Sequence, residues 1–455
     1  MDKLTKLQAK HPEFIYDSFH WEIKNNQLLC TFKFKLNPDI CLTPTVRLFN
    51  LDRDKLLRTQ HSVIDRMVFH LGLMEIPSYW KAALSPKIII KAGHLTKKQT
   101  IWWRKLFISG LGEFFYLNKL DPKQIKFKFV IKSATSYLPY QNEDLSANNL
   151  ILPLGGGKDS LVSLELLKDQ QPVLFSINPT KAILAVTKKN PTLTHCYVVR
   201  KLAPELLELN KQDYFNGHTP FSAYVAFLSS FVALLFKTKY VALSNESSAN
   251  EATIETDEFA YNHQYSKTTE FEKKFREYSQ TFLIPNLEYF SFLRPLNEVQ
   301  IAKFFSEIGE KYFSDFRSCN RGQKTGVWCH ECPKCLFAFL ILFPFLDEKI
   351  LCKQIFQANL FSKKSLVDEA LKLVNPDTAK PWECVGTREE SLVAFYLSVQ
   401  KYKEQKKSLP LILKTIDQKI LSKQQGMKKR AEKILKSWNK KNFVPAELVS
   451  KLKAI

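Results

Sequence analysis

The first segment whose composition suggests chemistry is the loop Gly155-Gly156-Gly157-Lys158-Asp159-Ser160. The chain has 455 residues and only 13 glycines, so three in a row are a marked concentration. Glycine lets the backbone approach a phosphate chain closely, and the amides at the start of a following helix attract the anion. Asp159 could hold a metal ion or cap the helix, and Ser160 could donate to a phosphate oxygen. The loop therefore predicts a nucleotide phosphate site.

The loop differs from the two commonest phosphate-binding motifs. A Walker A loop needs Ser or Thr directly after its Lys, where this chain has Asp159, and G-x-G-x-x-G fails because residues 158 and 160 are not glycine. The order G-G-G-K-D-S instead resembles the S-G-G-x-D-S motif of PP-loop ATPases, with Gly155 where most of them have Ser. That resemblance implies ATP cleavage between the α and β phosphates, with release of pyrophosphate. A glycine turn that merely starts a helix is the alternative.

Four of the nine cysteines, Cys319, Cys329, Cys332 and Cys335, form a cluster with the spacing C-x9-C-x2-C-x2-C. Four thiolates suit a tetrahedral soft metal, and C-x2-C pairs close a tight turn around Zn²⁺. The spacing resembles the zinc site near the C-terminal end of the PP-loop enzyme 7-cyano-7-deazaguanine synthase. We predict structural zinc at this cysteine cluster, with an iron–sulfur cluster or reduced, metal-free thiols as the alternatives.

Three further polar segments carry candidate catalytic side chains. They are residues 244–248 with Glu246, residues 262–267 with His263 and Lys267, and residues 380–386 with Glu383 and Cys384. Each segment by itself could be a capped turn. Whether these segments indicate a catalytic site therefore depends on whether they occur together as one set of motifs.

Seven segments do occur in a characteristic order: PLGGGKDS, SNE, NHQYSK, RPL, SCNR, WCxxCPKC and KPxECVG. This set resembles the bacterial UDP-N-acetylmuramoyl-L-alanyl-L-glutamate epimerases, the MurL family, over roughly residues 100–395. The resemblance implies inversion of the terminal L-Glu of UDP-MurNAc-L-Ala-L-Glu to D-Glu. The reaction would require Mg²⁺ and would consume ATP, with release of AMP and pyrophosphate. The resemblance thereby implies an isomerase of peptidoglycan synthesis, on which cell shape and cell division depend.

On that resemblance, the loop 155–160 would hold the ATP phosphates and Asp159 would place Mg²⁺. The motifs do not identify the residues that remove and return the Cα proton. Five candidates therefore stay open: His263, Lys267, Glu246, Glu383 and Cys384.

Two other functions stay open as alternatives. One is a PP-loop enzyme that modifies a nucleobase or tRNA, favoured by the 16 Lys or Arg against 4 Asp or Glu in residues 401–455. No second RNA-binding module is recognisable, so we do not expect nucleic acid as the partner. The other is a non-catalytic, zinc-stabilised nucleotide-binding module, which is favoured only if Gly155 disables the loop.

Alternating strands and helices must position these residues. From about residue 148, the apolar runs ILPL, VLFSI, HCYVV and YVALS predict buried strands with helical stretches between them. This alternation predicts an α/β fold with a Rossmann-like parallel sheet, of the kind that PP-loop enzymes have. Ligands bind such sheets at the carboxyl ends of the strands, where we expect residues 155–160, 178–179 and 244–246.

We predict three regions along the chain. They are an α+β N-terminal domain (1–145), a nucleotide-binding domain (146–345) with the cysteine cluster at 319–335, and a helical, lysine-rich region (346–455). The net charge is +22, and residues 401–455 carry +12 of it, so we expect a helical appendage there, either solvated or binding an anionic partner, outside the active site. The longest apolar run, 221–236, is shorter than the ~20 residues of a membrane span, and the chain start lacks a signal-peptide core. We therefore expect a cytoplasmic protein without a membrane span.

Overall fold

The computed structural model of the chain describes residues 1–137, 145–255 and 259–453. The strands are β1 (Glu13–Lys24), β2 (Gln27–Leu36), β3 (Ile40–Leu42), β4 (Thr45–Phe49), β5 (Lys87–Ile90), β6 (Lys128–Ile131), β7 (Ser146–Pro153), β8 (Val173–Ile177), β9 (His195–Lys201), β10 (Thr238–Leu243), β11 (Ile254–Glu255), β12 (Ala260–Tyr261) and β13 (Glu288–Ser291).

The α-helices are α1 (Lys3–Lys10), α2 (Arg53–Arg58), α3 (His61–Trp80), α4 (Lys97–Gly110), α5 (Gly112–Leu117), α6 (Lys158–Leu167), α7 (Lys181–Lys188), α8 (Pro204–Lys211), α9 (Phe221–Phe236), α10 (Thr269–Phe282), α11 (Glu298–Ile308), α12 (Asn320–Thr325), α13 (Pro333–Leu342), α14 (Val367–Val374), α15 (Arg388–Glu404), α16 (Leu411–Lys419), α17 (Met427–Leu435) and α18 (Ala446–Lys453). In the part of the chain that the structure describes, these helices are all too short or too polar to span a bilayer.

One 11-stranded sheet runs through the described residues, in the order β13-β10-β7-β8-β9-β4-β2-β1-β5-β6, with β3 paired to β2. The first five strands of that order are parallel. Strand β4 pairs antiparallel with β9 and with β2, and β2 pairs antiparallel with β1. Strands β5 and β6 run parallel to β1. The predicted α/β class with a largely parallel sheet is confirmed. The apolar runs VLFSI and HCYVV lie in β8 and β9, and ILPL and YVALS lie in β7 and β10 except for the last residue of each run.

The N-terminal part of the sheet forms where polar and apolar residues alternate. Strands β1 and β2 form a hairpin whose two turn residues, Asn25 and Asn26, have φ of 51° and 58°. Two consecutive positive φ values define the type I′ turn, which Asn tolerates and which matches the twist of the strands. Strand β4 then pairs with β9, so one sheet includes strands from both sides of the predicted domain boundary at residue 145. The division into three domains stays a prediction.

The order of the parallel strands reverses beside β7. The chain runs outward from β7 to β8 and β9, and then crosses to the other side of β7 to form β10 and β13. Open α/β sheets bind ligands outside the carboxyl ends of the strands at such a reversal. Strands β7 and β10 end at Pro153 and Leu243, directly before the loop 155–160 and the segment 244–246.

Both faces of the parallel strands are buried. Ile151, Val173 and Phe175 point into one hydrophobic core with α9, whereas Leu152 and Leu174 point into a second core with α6 and α11. Burial on two faces explains why these strands are continuous apolar runs. Helix α9 is the apolar run 221–236, and it packs against α3, β7, β8 and β10.

The lysine-rich C-terminal residues are not an appendage, so that expectation is wrong. Helix α16 buries Ile412, Leu413 and Ile416 in the second core, and α18 buries Leu448 and Leu452 beside α6. The physical reason is amphipathicity, because lysines cover the outer faces while apolar residues at helical spacing pack inward. A net charge counts the lysines without showing which face they occupy.

Candidate active site

The loop 155–160 follows β7 and lines a cavity of about 460 Å³ at the carboxyl edge of the sheet. Gly156 has φ of +73°, in the left-handed region that glycine adopts without strain. Gly157 takes the N-cap position of α6, and no side chain of the described residues caps it. The first amides of α6 are therefore free to bind an anion.

The cavity brings together most of the segments predicted from the sequence. Its lining includes Gly155, Gly157, Lys158, Asp159 and Ser160 of the loop, Asn178 after β8, Glu246 after β10, and Lys267 and Cys384 from the two later segments. Gly156 lies in the same loop with its conformation fixed by a hydrogen bond to Arg317. The candidates His263 and Glu383 do not line the cavity. They neighbour Cys384, which does line it.

Three carboxylates form an acidic trio beside the loop: Asp159, Glu246 and Glu298. One oxygen from each lies within 4.8 Å of the others. Lys158 is buried against them and forms ion pairs with Asp159 and Glu298. Burial raises the pKa of Glu298 to about 8, against the charge of Lys158, and burial also raises the pKa of Glu246. Oxygen ligands crowded in this way suit a hard divalent cation such as Mg²⁺.

A thiol and an amine meet in the same cavity. The Lys267 Nζ donates to the Cys384 Sγ at 3.3 Å. Burial opposes ionisation of the Cys384 thiol, but the positive charges of Lys267, Lys334 and His263 hold its pKa well below the ordinary value. These charges favour the thiolate over the thiol.

His263 connects Cys384 to the N-terminal part of the chain. Its Nδ1 lies 2.6 Å from the Glu113 Oε2 in the first turn of α5. Burial opposes protonation, but hydrogen bonds with Cys384 and Glu113 raise the pKa of His263 to about 9. The His218 Nδ1 lies 3.2 Å from the same Glu113 oxygen, and burial together with the charge of His263 lowers the pKa of His218 to about 4.

Glu383 neighbours Cys384 in the chain and is half-buried. Burial raises the pKa of this carboxyl, although the positive charges of Lys334 and His263 oppose the rise. Because Glu383 lies outside the cavity lining, it contributes charge to the site rather than a surface for the ligand.

Buried charges fix the site loops to one another. The Arg294 side chain is fully buried and donates to the backbone carbonyls of Glu246 and Lys267, and it pairs with Glu272 at 3.1 Å. Arg294 belongs to the RPL segment. Glu390, at the start of α15, accepts from the Glu298 backbone amide at 2.9 Å. These contacts explain how segments far apart in sequence hold one geometry.

The cysteine cluster has the arrangement that the spacing predicted. The four Sγ atoms lie within 4.8 Å of one another. Backbone amides donate to two of them, from Gly322 to Cys319 at 3.1 Å and from Cys335 to Cys332 at 3.4 Å. Such amide contacts orient thiolate ligands, and four sulfurs suit tetrahedral Zn²⁺. His330 lies outside the cluster, because its ring bonds the Phe356 carbonyl.

The cysteine cluster also supports the loop 155–160. The Gly156 carbonyl accepts from the Arg317 amide at 2.9 Å, and the Gly155 carbonyl accepts from the Gln323 Nε2 at 3.0 Å. Both donors lie in the segment that Cys319 fixes. A metal bound at the cluster would thus hold the loop from its outer side.

Sequence reasoning missed four polar residues of the site. They are Glu113, His218, Glu298 and Lys334. Glu298 follows the RPL segment and Lys334 lies between two cluster cysteines, so a wider search of those segments would have included them. No local pattern marks Glu113 or His218, which come from the helical stretch before residue 145 and the connection before α9.

The chain matches two family models that together cover most of its length. The MurL N-terminal domain matches residues 5–292, and the MurL C-terminal domain matches residues 315–431.

The chain belongs to the MurL family.

The MurL family match confirms the resemblance inferred from the seven segments, and it extends further toward both ends. A similar relative is the UDP-N-acetyl-alpha-D-muramoyl-L-alanyl-L-glutamate epimerase of Xanthomonas oryzae pv. oryzae (strain MAFF 311018), 35% identical over 71% of this chain and 72% of that protein. The protein of the same name from Micromonospora sp. (strain ATCC 39149 / NRRL 15099 / SCC 1413) is 33% identical over 78% of this chain and 79% of its own length. No solved structure matches the chain.

Proposed function

We propose that this chain is an ATP-dependent epimerase that converts the terminal L-Glu of UDP-MurNAc-L-Ala-L-Glu to D-Glu in cytoplasmic peptidoglycan synthesis. Its relatives of the MurL family are named as epimerases of this muramoyl dipeptide. One observation carries the proposal, namely that a single cavity is lined both by the loop 155–160 and by the Lys267–Cys384 pair. ATP cleavage and proton transfer could therefore act on one bound substrate.

The order of the parallel strands supports assignment to the PP-loop ATPases. The first, second and third strands run outward on one side, and the fourth and fifth lie on the other, as in a Rossmann-like sheet. The loop follows the first of these strands, as in that superfamily. A side chain at Gly155 would meet nothing within 4 Å, so the missing Ser does not reflect crowding. Backbone amides would then bind the phosphates without that hydroxyl.

Adenylation solves a chemical difficulty of the inversion. Removal of a proton from the carbon next to an ionised carboxylate would leave a dianion. When a carboxylate oxygen attacks the α phosphorus of ATP, pyrophosphate leaves and the carboxylate becomes the uncharged acyl group of a mixed anhydride with AMP. A general base can then take the Cα proton, with the electron pair moving onto the acyl oxygen. A proton adds to the opposite face, and water cleaves the anhydride to give the D-Glu product and AMP.

The residues present fit both implied metals. The acidic trio would hold Mg²⁺, which supplies charge neutralisation for the phosphates when bound. Asp159 faces the cavity. Its carboxylate and the ATP phosphates would repel each other unless a cation lay between them. The cysteine cluster would hold Zn²⁺, which supplies structural rigidity near the loop 155–160.

A pyrophosphate-release assay with three substrates tests this proposal. UDP-MurNAc-L-Ala-L-Glu should release pyrophosphate in ATP-containing D₂O and take up deuterium at Cα of the glutamate. UDP-MurNAc-L-Ala, which lacks that glutamate, and bulk tRNA should do neither. Deuterium exchange without ATP would contradict adenylation, and the absence of both reactions would contradict the epimerase. Pyrophosphate release with tRNA, falling steeply with salt, would favour a tRNA-modifying enzyme instead.

A further inference from the structure

A polar chain that the proposed function does not by itself assign leads from the cavity wall into the protein. It runs from Cys384 through His263 to Glu113. We propose that Cys384 is the base that takes the Cα proton, and that Glu113, acting through His263, is a positioning residue that keeps this sulfur a thiolate. This inference rests on the proposed epimerase and identifies the group that carries out its proton transfer.

Position and charge favour Cys384 over the other candidates for the base. Lys267 donates to the Cys384 Sγ at 3.3 Å. Burial opposes its charge, but the negative charges of Cys384 and Glu246 raise the pKa of Lys267, so its amine is held as an ammonium without a free electron pair. Glu246 belongs to the acidic trio and its backbone carbonyl is held by Arg294. His263 and Glu383 do not line the cavity. Glu246 and Cys384 both line the cavity and could accept a proton, but the Glu246 carboxylate belongs to the acidic trio, which leaves Cys384.

The surroundings of His263 favour its protonated state. One ring nitrogen, Nδ1, lies 2.6 Å from a Glu113 carboxylate oxygen. Burial of the ring opposes protonation, but its interactions with Cys384 and Glu113 raise the pKa of His263 to about 9. Both neighbours therefore favour the imidazolium over the neutral ring. Glu113, with 13% of its side chain exposed, is placed to maintain that charge.

Four charged side chains face Cys384. The cations are Lys267, Lys334 at the start of α13, and His263, and the anion beside it is Glu383. His218 contributes no charge of its own at neutral pH, because burial lowers its pKa to about 4. Three cations against one neighbouring carboxylate favour the thiolate over the thiol.

The proton-transfer step balances with water as the only added reactant. The Cys384 thiolate forms an S–H bond as the Cα–H bond breaks, and the electron pair moves onto the acyl oxygen of the activated glutamate. A proton from water then adds to the opposite face of Cα. The thiol returns its proton to the resulting hydroxide, which regenerates the thiolate.

Alkylation of the free, full-length protein tests the thiolate without any substrate. The probe is iodoacetamide, and the modification of each cysteine is followed by peptide mass spectrometry from pH 5 to 9. We expect Cys384 to react below pH 7, where the exposed Cys41 reacts slowly. Glu113→Gln should shift the Cys384 profile to higher pH, because His263 loses its anionic partner and its positive charge. Glu208→Gln, on the exposed face of α8, should leave the profile unchanged.

Solvent exchange with UDP-MurNAc-L-Ala-L-Glu tests the catalytic role. Cys384→Ser and Cys384→Ala should still release pyrophosphate but lose Cα deuterium uptake by about 10²-fold or more. Wild-type exchange in both variants would overturn the base assignment. An unchanged alkylation profile in Glu113→Gln would overturn the positioning role. If the wild-type protein releases no pyrophosphate, the proposed function fails, whereas failure of this inference alone leaves wild-type pyrophosphate release intact.

Discussion

At the scale of single residues, Asp159 joins the loop 155–160 to the acidic trio. Its side chain is one-third exposed toward the cavity and pairs with the buried Lys158. We expect Asp159→Asn to keep the fold but to lower pyrophosphate release and Cα deuterium uptake together, by about 10²- to 10³-fold, because one anionic ligand for Mg²⁺ is lost. Both products are measured in one reaction in D₂O.

The matched control for that variant is Asp169→Asn, which removes an exposed carboxylate just after α6. Its activity should equal that of the wild-type protein. If Asp159→Asn retained pyrophosphate release while Cα exchange was lost, Asp159 would belong to proton transfer rather than to the phosphate site.

At the scale of elements, the cysteine cluster connects a metal site to the phosphate loop. Purified protein should contain about one Zn per chain, since four thiolates form a closed structural site. We expect Cys332→Ser to lose that metal and to lower the melting temperature, because metal binding contributes folding free energy. ATP affinity should fall as well, since the segment after Cys319 donates to the Gly155 and Gly156 carbonyls. Metal analysis and thermal unfolding measure both effects.

Cys41→Ser is the control for the cluster variant, because Cys41 is exposed in β3 and far from the cluster in sequence. It should retain the metal and the melting temperature. A metal-free protein that is as stable as the zinc-loaded protein would contradict a structural role for the cluster.

At the scale of the whole molecule, the C-terminal helices complete the second hydrophobic core. Leu413 of α16 is fully buried, whereas Leu411, two residues earlier, is 42% exposed. We expect Leu413→Ala to lower the free energy of unfolding by about 2–5 kcal/mol and Leu411→Ala to change it little, because only the first leaves a cavity. Urea unfolding measures both. Equal stability of the two variants would mean that α16 is not part of the cooperative fold.

Local sequence patterns predicted the features that neighbouring residues determine. The strands β7 to β10 follow from apolar runs, and the loop 155–160 follows from glycines before a helix start. The sulfur positions follow from the C-x2-C spacing, since two residues between ligands fix a tight turn. Each of these features depends on residues within one or two turns of the chain.

Only the tertiary structure decided which distant residues share the cavity. Lys158 pairs with Glu298, 140 residues away, and His263 meets Glu113, 150 residues away. The strand order brings these segments to one sheet edge, and no local spacing encodes that order. The choice among five candidate bases was likewise open in the sequence, because a thiol, an amine or an imidazole becomes a base or an acid according to the charges that the fold places beside it.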